Sequence, residues 1–302
     1  MDKILLVSNP RAGSVSARTQ EVITKALAAD FKLDSEVTAS RDHASELARD
    51  AVDRGFDAVV AFGGDGTINE IAQGLVGTDV ALGMLPGGST NVTIRSLGIP
   101  RDPVEATALL ASRLRSGTTT RINVGRIIER YFLFSAGMGL DAEVVKRVEA
   151  DPEAKKRRGE WFFLSNALKV GAGEYRGAPA SITMTVDGGE PEQVALAVCC
   201  NARPFTYFKR FPVDVCPQAT LDGGLDVFGL KKIRLVTVPR IAWGVLVSRS
   251  HPRWRNATYH HDARTIELSS ERDLPVQVDG DYIGMHDSAR IDLVEDALDL
   301  IV

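Results

Sequence analysis

The sequence has few cysteines and no long apolar run. Its three cysteines, Cys199, Cys200 and Cys216, show neither a disulfide framework nor the spacing of a metal site, so we expect buried free thiols. No apolar stretch approaches the roughly 20 residues of a membrane span, and residues 4–7 are too short for the core of a signal peptide. The sequence therefore predicts a protein made and kept in the cytosol.

There is also no excess of charge of either sign. The 302 residues have a formal net charge of -4, with 13 Lys plus Arg against 15 Asp plus Glu through residue 122, and 23 against 25 beyond it. Neither part offers a basic nucleic-acid platform, so we expect no nucleic-acid partner. A hydrophobic content of 44% is enough for real cores in one large domain or two of ordinary size.

The pattern of strand-like and helix-like runs changes near residue 122. The sequence has no internal repeat, low-complexity tract or long linker. Before residue 122, strand-like runs (4–8, 33–37, 58–61, 81–84) alternate with helix-like runs (15–29, 44–54, from 68, 104–116). This alternation predicts a doubly wound α/β domain with a parallel sheet. Beyond it, short runs separated by Gly, Pro and Asp predict an antiparallel β-sandwich or barrel, interrupted by one helix at residues 159–170. We expect the two domains to pack closely around a cleft.

The most informative stretch is the glycine-rich turn at residues 63–70, which lies between a buried strand and a helix. Its glycines let the backbone approach a ligand closely, and the N–H groups at the helix start favour an anion. Asp65 adds a carboxylate to this cradle, which implies a divalent cation or a substrate hydroxyl in the same site. A glycine-rich turn with a capping Asp is the alternative.

Three further polar turns follow the other parallel strands: residues 9–13, Thr38 and residues 86–91. Because the carboxyl ends of parallel strands meet at one edge of a sheet, we expect these turns to form one site with residues 63–70.

These motifs, in this order, resemble the diacylglycerol kinase catalytic-domain family, which includes bacterial lipid kinases and the sphingosine and ceramide kinases. The resemblance covers nearly the whole chain. It is carried by Asn-Pro-x-x-Gly at 9–13, Gly-Gly-Asp-Gly-Thr at 63–67 with Asn-Glu at 69–70, the blocks at 86–95 and 97–100, Asp-Gly-Gly-Leu-Asp at 222–226, and Val-Asp-Gly-Asp at 278–281. In this family the last strand returns to the first domain. The implied domains are 1–122 with 292–302, for ATP, and 123–291, for the lipid.

The resemblance implies ATP and Mg²⁺ as cofactors. The residues implied to bind ATP are Asn9, Pro10, Arg11, Ala12, Gly13, Thr38, Gly63, Gly64, Asp65, Gly66, Thr67, Asn69, Glu70 and Ser89. Asp65 is also the residue that we expect to meet the Mg²⁺ that accompanies ATP.

Two further roles follow from the resemblance. Asp281 occupies the family's general-base position, where a carboxylate accepts the proton of the attacking alcohol. It stands where Glu is usual, so either the base is displaced or a water intervenes; a turn Asp that caps its own backbone is the alternative. Asp222 matches a magnesium-binding position, with carbonyl ligands from Ala219 and Gly224, and an Asp-Gly hairpin turn is the alternative.

Two positions depart from the family pattern and leave the lipid undetermined. Ser14 stands where many bacterial members have Lys, and Val92 stands where many have Asp. Three functions remain: an ATP-dependent lipid kinase, most simply converting diacylglycerol to phosphatidate; an NAD kinase; and a nucleotide- or lipid-binding regulator with a decayed site. The Asn-Pro turn at 9–10 and the 279–281 ending favour the lipid kinase over the NAD kinase, and the intact 63–67 turn argues against decay.

Two stretches combine basic and aromatic residues. Residues 155–158 are Lys-Lys-Arg-Arg before Trp161, and either rest transiently on an anionic membrane or form a solvated turn before a helix whose Trp161, Leu164 and Leu168 pack on the sandwich. Residues 205–211 either line the acyl-chain cleft or belong to the core. The enzyme is thus expected at the inner face of the membrane, with homodimerisation left open.

His260, His261 and Asp262 resemble a metal cluster superficially. Neighbours on a strand point to opposite faces and no further ligand lies at metal spacing, so we expect a surface loop.

Overall fold

The computed structural model describes residues 1–13, 15–151, 153–154, 157, 160–173, 181–232, 244 and 248–302. The chain forms two compact units. The first contains Met1–Val124 and Glu295–Val302, and the second contains Gly125–Val294.

The first unit is a parallel sheet with helices, as the alternating pattern predicts. Its strands are β1 (Lys3–Ser8), β2 (Lys32–Val37), β3 (Ala58–Gly63) and β4 (Ala81–Pro86), in the order β2-β1-β3-β4. Its helices are α1 (Ala17–Ala28), α2 (His43–Asp53), α3 (Asp65–Leu75), α4 (Val92–Ser96) and α5 (Pro103–Ser116). Every residue of β3 and β4 is buried, which is why these runs are apolar without alternation.

The chain also contributes its final segment to the first unit. Strand β16 (Asp281–Leu300) ends beside β4, where Leu300 pairs with Leu82 in parallel and the Ile301 N–H donates to the Leu82 carbonyl at 3.0 Å. Leu298, Leu300 and Ile301 are buried. Apolar residues at the end of the chain therefore serve the core of the first unit.

The second unit is built from antiparallel strands. They are β6 (Arg130–Phe132), β7 (Ser135–Gly139), β8 (Ile182–Val186), β9 (Glu192–Val194), β10 (Leu196–Cys200), β13 (Leu225–Leu230), β14 (Ala257–Ala263) and β15 (Thr265–Val278), with β11 (Thr206–Phe208) and β12 (Phe211–Val213) as a separate hairpin. Strand β5 (Thr120–Ile127) enters this unit at Gly125, and β16 leaves it after Val294. One half of β15 pairs with β8 and the other half with β7. β15 therefore joins both pairings within one sheet, and buried side chains of these strands belong to one core.

Two helices pack against this unit. They are α6 (Leu140–Glu149) and α7 (Glu160–Ala172). Val148 of α6 and Val170 of α7 are buried in a cluster with Phe228 of β13. The predicted helix at 159–170 is therefore present, although Gly159 lies outside the described residues, whereas sequence reasoning missed α6. Among the described residues, no helix is both long enough and apolar enough to cross a membrane.

The cysteine prediction is confirmed, and the surface-loop prediction is wrong. All three cysteines are free and buried, and burial raises the pKa of the Cys199 and Cys216 thiols. Residues 260–262 belong to β14 and pair with β13 instead of forming a loop. His260 bonds to Glu192 and His261 to the buried Asp226, each at 2.7 Å, because these acidic residues lie within reach of opposite faces of the strand.

Removing a core ring tests the packing of the second unit. Phe132 is fully buried opposite Gly125, whereas Phe211 is 54% exposed. We expect Phe132→Ala to lower the free energy of unfolding by about 3–5 kcal/mol, because it leaves a cavity. The matched Phe211→Ala variant should lose less than about 1 kcal/mol. Urea denaturation measures both, and equal losses would contradict the described core.

Candidate functional site

The carboxyl edge of the first unit's sheet brings the predicted turns together. The Asn9 N–H donates to the Phe62 carbonyl at 3.0 Å, and the Gly87 N–H donates to the Gly63 carbonyl at 2.8 Å. These bonds tie the turn after β1 to β3, and the turn after β4 to the turn after β3. The edge is therefore a connected set of turns instead of separate loops.

The glycines of this edge allow two turns to pack backbone against backbone. A Cβ atom on Gly87 would lie 2.8 Å from the Gly63 Cα atom, and a Cβ atom on Gly88 would lie 2.7 Å from the Gly64 Cα atom. Only glycine fits such an approach. Gly64 is the N-cap residue of α3 and makes no side-chain hydrogen bond. The first N–H groups of this helix can therefore donate to an acceptor other than a capping side chain.

Asn9 joins the turn after β1 to the glycine-rich turn. Its Nδ2 donates to Thr67 Oγ1 at 2.9 Å, and its Oδ1 accepts the Arg11 N–H at 3.0 Å. The second bond closes a local Asx turn across Pro10. The amide of Asn9 thus fixes residues 9–11 against the first turn of α3, which explains why this position needs an amide.

The carboxylate of Asp65 is bound by the start of α4. It accepts hydrogen bonds from the Val92 N–H, the Thr93 N–H and the Thr93 hydroxyl, each at 2.9 Å. A carboxylate at a helix N-terminus is stabilised by these N–H groups and by the helix dipole. Asp65 therefore positions α4. Its expected contact with Mg²⁺ stays a prediction.

Asn69 accepts a hydrogen bond within α3, and Glu70 links α3 to α2. The buried Asn69 accepts a hydrogen bond from Gln73 at 3.0 Å, and Glu70 accepts the Ala44 N–H near the start of α2 at 3.3 Å. Thr38 continues the edge after β2, where its N–H donates to the Ser8 carbonyl at 2.9 Å. Pro10 and Ser89 are exposed on the turns. Sequence reasoning placed these residues at the edge but did not foresee the helix contacts.

In the second unit, Asp281 begins β16 directly after a tight hairpin turn. Val278 pairs with Asp281, so the turn consists of Asp279 and Gly280, both with positive φ. The Asp279 carboxylate accepts the N–H groups of residues 133, 134 and 135 at 2.8 to 2.9 Å. Asp279 therefore anchors the turn, a role that sequence reasoning did not assign.

This anchoring leaves the Asp281 side chain uncommitted. Its carboxylate is half-buried and has no hydrogen bond or ion pair with any described residue. The Asp279 carboxylate next to it, in contrast, accepts three backbone N–H groups, all from residues 133–135. A carboxylate held on a rigid turn with vacant acceptor sites can accept a proton from a bound hydroxyl.

Asp222 lies exposed on the turn before β13. Nearby, the Gly224 N–H donates to Asp262 Oδ1 at 2.7 Å, and Ala219 is buried. No group of three or more His, Cys, Asp or Glu side chains within the described ranges is placed to hold a metal ion. A metal at Asp222 would therefore depend on backbone carbonyl oxygens for most of its ligands.

Asp141 and Gln277 form a further polar contact that sequence reasoning missed. Gln277 Nε2 donates to Asp141 Oδ2 at 3.1 Å, and Gln277 Oε1 accepts the Gly280 N–H at 2.9 Å. No local pattern marks Asp141, because it lies in α6, which was itself not foreseen.

Comparison with known proteins finds a family match within the chain. Residues 3–127 match the family model of the diacylglycerol kinase catalytic domain. This segment contains every turn of the carboxyl edge described above. This match confirms the resemblance seen in the motifs.

Particular relatives extend the similarity beyond that segment. A diacylglycerol kinase of Bacillus subtilis is 26% identical over 291 residues, covering 94% of this chain and 91% of the relative. One from Staphylococcus saprophyticus is 25% identical over 284 residues, covering 92% and 88%. A crystal structure of a diacylglycerol kinase from Bacillus anthracis superimposes with a TM-score of 0.73 at 21% identity, covering 99% of this chain and 96% of that one, and so shows a shared fold.

Removing the Asp65 carboxylate tests its role at α4. We expect Asp65→Ala to lower the free energy of unfolding by about 2–3 kcal/mol, because three donors lose their acceptor. Asp102 is a matched control, since it caps α5 through the N–H groups of Val104 and Glu105 alone. Asp102→Ala should cost about 1 kcal/mol in the same denaturation measurement. A smaller loss for Asp65→Ala than for Asp102→Ala would contradict the assignment.

Proposed function

We propose that this protein is an ATP-dependent lipid kinase that transfers the γ-phosphate of ATP to the hydroxyl of a neutral lipid, most simply diacylglycerol to give phosphatidate. The observation that carries the proposal is the uncommitted Asp281 carboxylate, held on an anchored turn in a chain that has a diacylglycerol kinase catalytic domain. The names of the relatives support the same reaction class.

The first unit supplies the proposed nucleotide site. The close approach of Gly63 and Gly64 to Gly87 and Gly88 forms a cradle that a Cβ atom would fill, and the N–H groups at the start of α3 suit phosphate oxygens. The hydrogen bond from Asn9 to Thr67 fixes the turn after β1 beside this cradle. The donor chemistry of these residues thus fits a phosphate chain.

A divalent metal bound with the nucleotide would neutralise phosphate charge and polarise the γ-phosphate. Asp65 is the carboxylate that the sequence offers to such an ion, in addition to its bonds to α4. Asp222, with carbonyl oxygens of Ala219 and Gly224, is proposed for a separate structural magnesium. Its exposed carboxylate and the adjacent turn carbonyls are the hard oxygen ligands that Mg²⁺ prefers.

Asp281 is the proposed general base. Its carboxylate would accept the proton of the lipid hydroxyl as the oxygen attacks phosphorus, which such a group typically accelerates by about 10²–10⁴-fold. Asp279 and Gly280 hold the position of Asp281, so little reorganisation is needed when the acceptor binds.

The first test is the acceptor panel. We expect purified protein with labelled ATP and Mg²⁺ to phosphorylate one lipid in mixed micelles and to leave NAD unlabelled. Asp281→Asn should lower kcat by about 100-fold or more, because the amide cannot accept the proton, with the affinity for ATP retained.

Asp287→Asn is the control, since Asp287 is an exposed carboxylate on the same strand. Labelling of NAD alone would establish an NAD kinase instead. ATP-dependent thermal protection without labelling would establish a binding protein. Full activity of Asp281→Asn would remove Asp281 as the base.

We also propose that the enzyme reaches its lipid through an exposed aromatic surface formed by Trp161, Phe208 and Phe211 with Lys209 and Arg210. The ring centroids of Trp161 and Phe208 are 5.5 Å apart, and Lys209 Nζ lies 5.8 Å from the Trp161 ring. Trp161 is 58% exposed, which favours the membrane alternative over packing on the sandwich.

The chemistry of this surface favours an anionic bilayer. Exposed aromatic rings enter the interfacial region, and adjacent cations are attracted to anionic headgroups. Arg210 lies over the Phe211 ring at 5.4 Å and Arg157 is exposed, while Lys155, Lys156 and Arg158 lie outside the described residues.

Vesicle sedimentation tests this surface. The double variant Trp161→Ala with Phe211→Ala should bind vesicles containing about 30% phosphatidylglycerol at least about tenfold more weakly, because it lacks the two exposed rings that would enter the bilayer interface. The control Ile128→Ala removes an apolar side chain that is 38% exposed elsewhere on the second unit, and should bind normally. Unchanged binding by the double variant would refute the proposed surface.

A further inference from the structure

The buried contact between Asp141 and Gln277 has no assigned role so far. Asp141 Oδ1 is buried and has no hydrogen-bond partner among the described residues, and Gln277 is 1% exposed. Buried carboxylates that are incompletely paired cost free energy, so their retention calls for an explanation.

The backbone makes space for this carboxylate. Gly137 lies opposite Gln277 in the pairing of β7 with β15. A Cβ atom on Gly137 would lie 1.9 Å from Asp141 Oδ2, so a side chain at this position would displace the carboxylate. Glycine at residue 137 thus allows Asp141 to reach across the strand pair to Gln277.

The hydrogen bonds have a fixed direction. An ionised carboxylate can only accept and a backbone N–H can only donate, so one orientation of the Gln277 amide satisfies both neighbours. Nε2 then faces Asp141, and Oε1 accepts the Gly280 N–H. Without Asp141, the Gly280 N–H alone would hold the Gln277 amide in this orientation.

We propose that Asp141 is a positioning residue for catalysis: through Gln277 it fixes the Asp279–Gly280 turn and so the place of Asp281. This inference rests on the proposed function, because it gives Asp141 its effect on rate through the general base. Asp279 holds the turn from one side, and the Asp141–Gln277 pair holds it from the other.

The ionisation of Asp141 supports this role. Burial raises the pKa of Asp141 to about 6, while the Gln277 hydrogen bond and the nearby N–H groups of Asp141 and Ala142 oppose the shift. No charged side chain among the described residues contributes to this pKa. Besides Asp141, the titratable or charged residues on α6 and the elements packed against it are Glu143, Lys146, Arg147, Glu149, Glu160, Lys169, Cys199, Cys200, Glu267, Glu271, Arg272 and Asp273.

The sign of the pH effect follows. Below about pH 6 the carboxylate becomes protonated and can donate as well as accept, so it holds the Gln277 amide in one orientation less strongly and the rate should fall. The pKa of Asp141 is higher in the folded state than in the unfolded state, so the protein loses stability as rising pH ionises this carboxyl group. Replacing Asp141 by an uncharged acceptor should therefore stabilise the protein at pH 8.

The experiment compares Asp141→Ala, Asp141→Asn, Gln277→Leu and the double variant Asp141→Ala with Gln277→Leu. We expect Asp141→Ala and Gln277→Leu each to lower kcat by about 10- to 100-fold with the KM for ATP unchanged, and the double variant to equal the single ones. Hydrogen exchange of the Gly280 N–H should accelerate in all three. Asp141→Asn can donate as well as accept, as the protonated carboxyl does, so at every pH it should show the lower rate that the wild type has below pH 6, and it should unfold at a higher urea concentration at pH 8.

Glu143→Gln is the control, because Glu143 lies on the same helix and pairs with Arg147. Wild-type exchange at Gly280 in Asp141→Ala would overturn the inference, and so would faster exchange with full kcat. Exchange at Gly280 is measured without any substrate. If no lipid is phosphorylated by the wild type, the proposed function fails while this exchange still reports the contact; if Asp281→Asn is inactive but Asp141→Ala is fully active, the inference alone fails.

Discussion

The hydrogen bonds between the Asp279 carboxylate and three successive backbone N–H groups determine the geometry of the second unit's candidate site. The partners belong to residues 133–135, which lead into β7, so one carboxylate ties the β15–β16 turn to a different part of the sequence. Asp281, two residues later, has no hydrogen bond or ion pair with any described residue. The same turn receives Gln277 from inside the unit.

The first unit uses a related device. The Asp65 carboxylate accepts three hydrogen bonds from the start of α4, as the Asp279 carboxylate accepts three from residues 133–135. In both places a carboxylate satisfies backbone N–H groups that would otherwise need water or a cap, and a turn is fixed as a result. Carboxylates that stand in the functional motifs of the sequence therefore also fix the turns on which the proposed chemistry depends.

The sequence predicts those features whose physical cause is local. Apolar runs predict β3 and β4, the alternation predicts the α/β class, and glycines predict the close turns at residues 63–64 and 87–88. Contacts between distant segments have no such signal. The pairing of Asp141 with Gln277 joins residues 136 positions apart, and the acceptors for His260 and His261 also come from other strands. Such partners depend on register, which composition and periodicity do not specify.

The path of β16 has a consequence for anyone who divides this chain. The strand begins at Asp281 in the second unit and ends beside β4 in the first, whereas the family match stops at residue 127. A fragment cut to that match would leave the backbone groups of β4 that meet Leu300 and Ile301 as an open edge, a known template for aggregation. A soluble excised first unit would need the terminal octet, residues 295–302, fused back onto it by a linker.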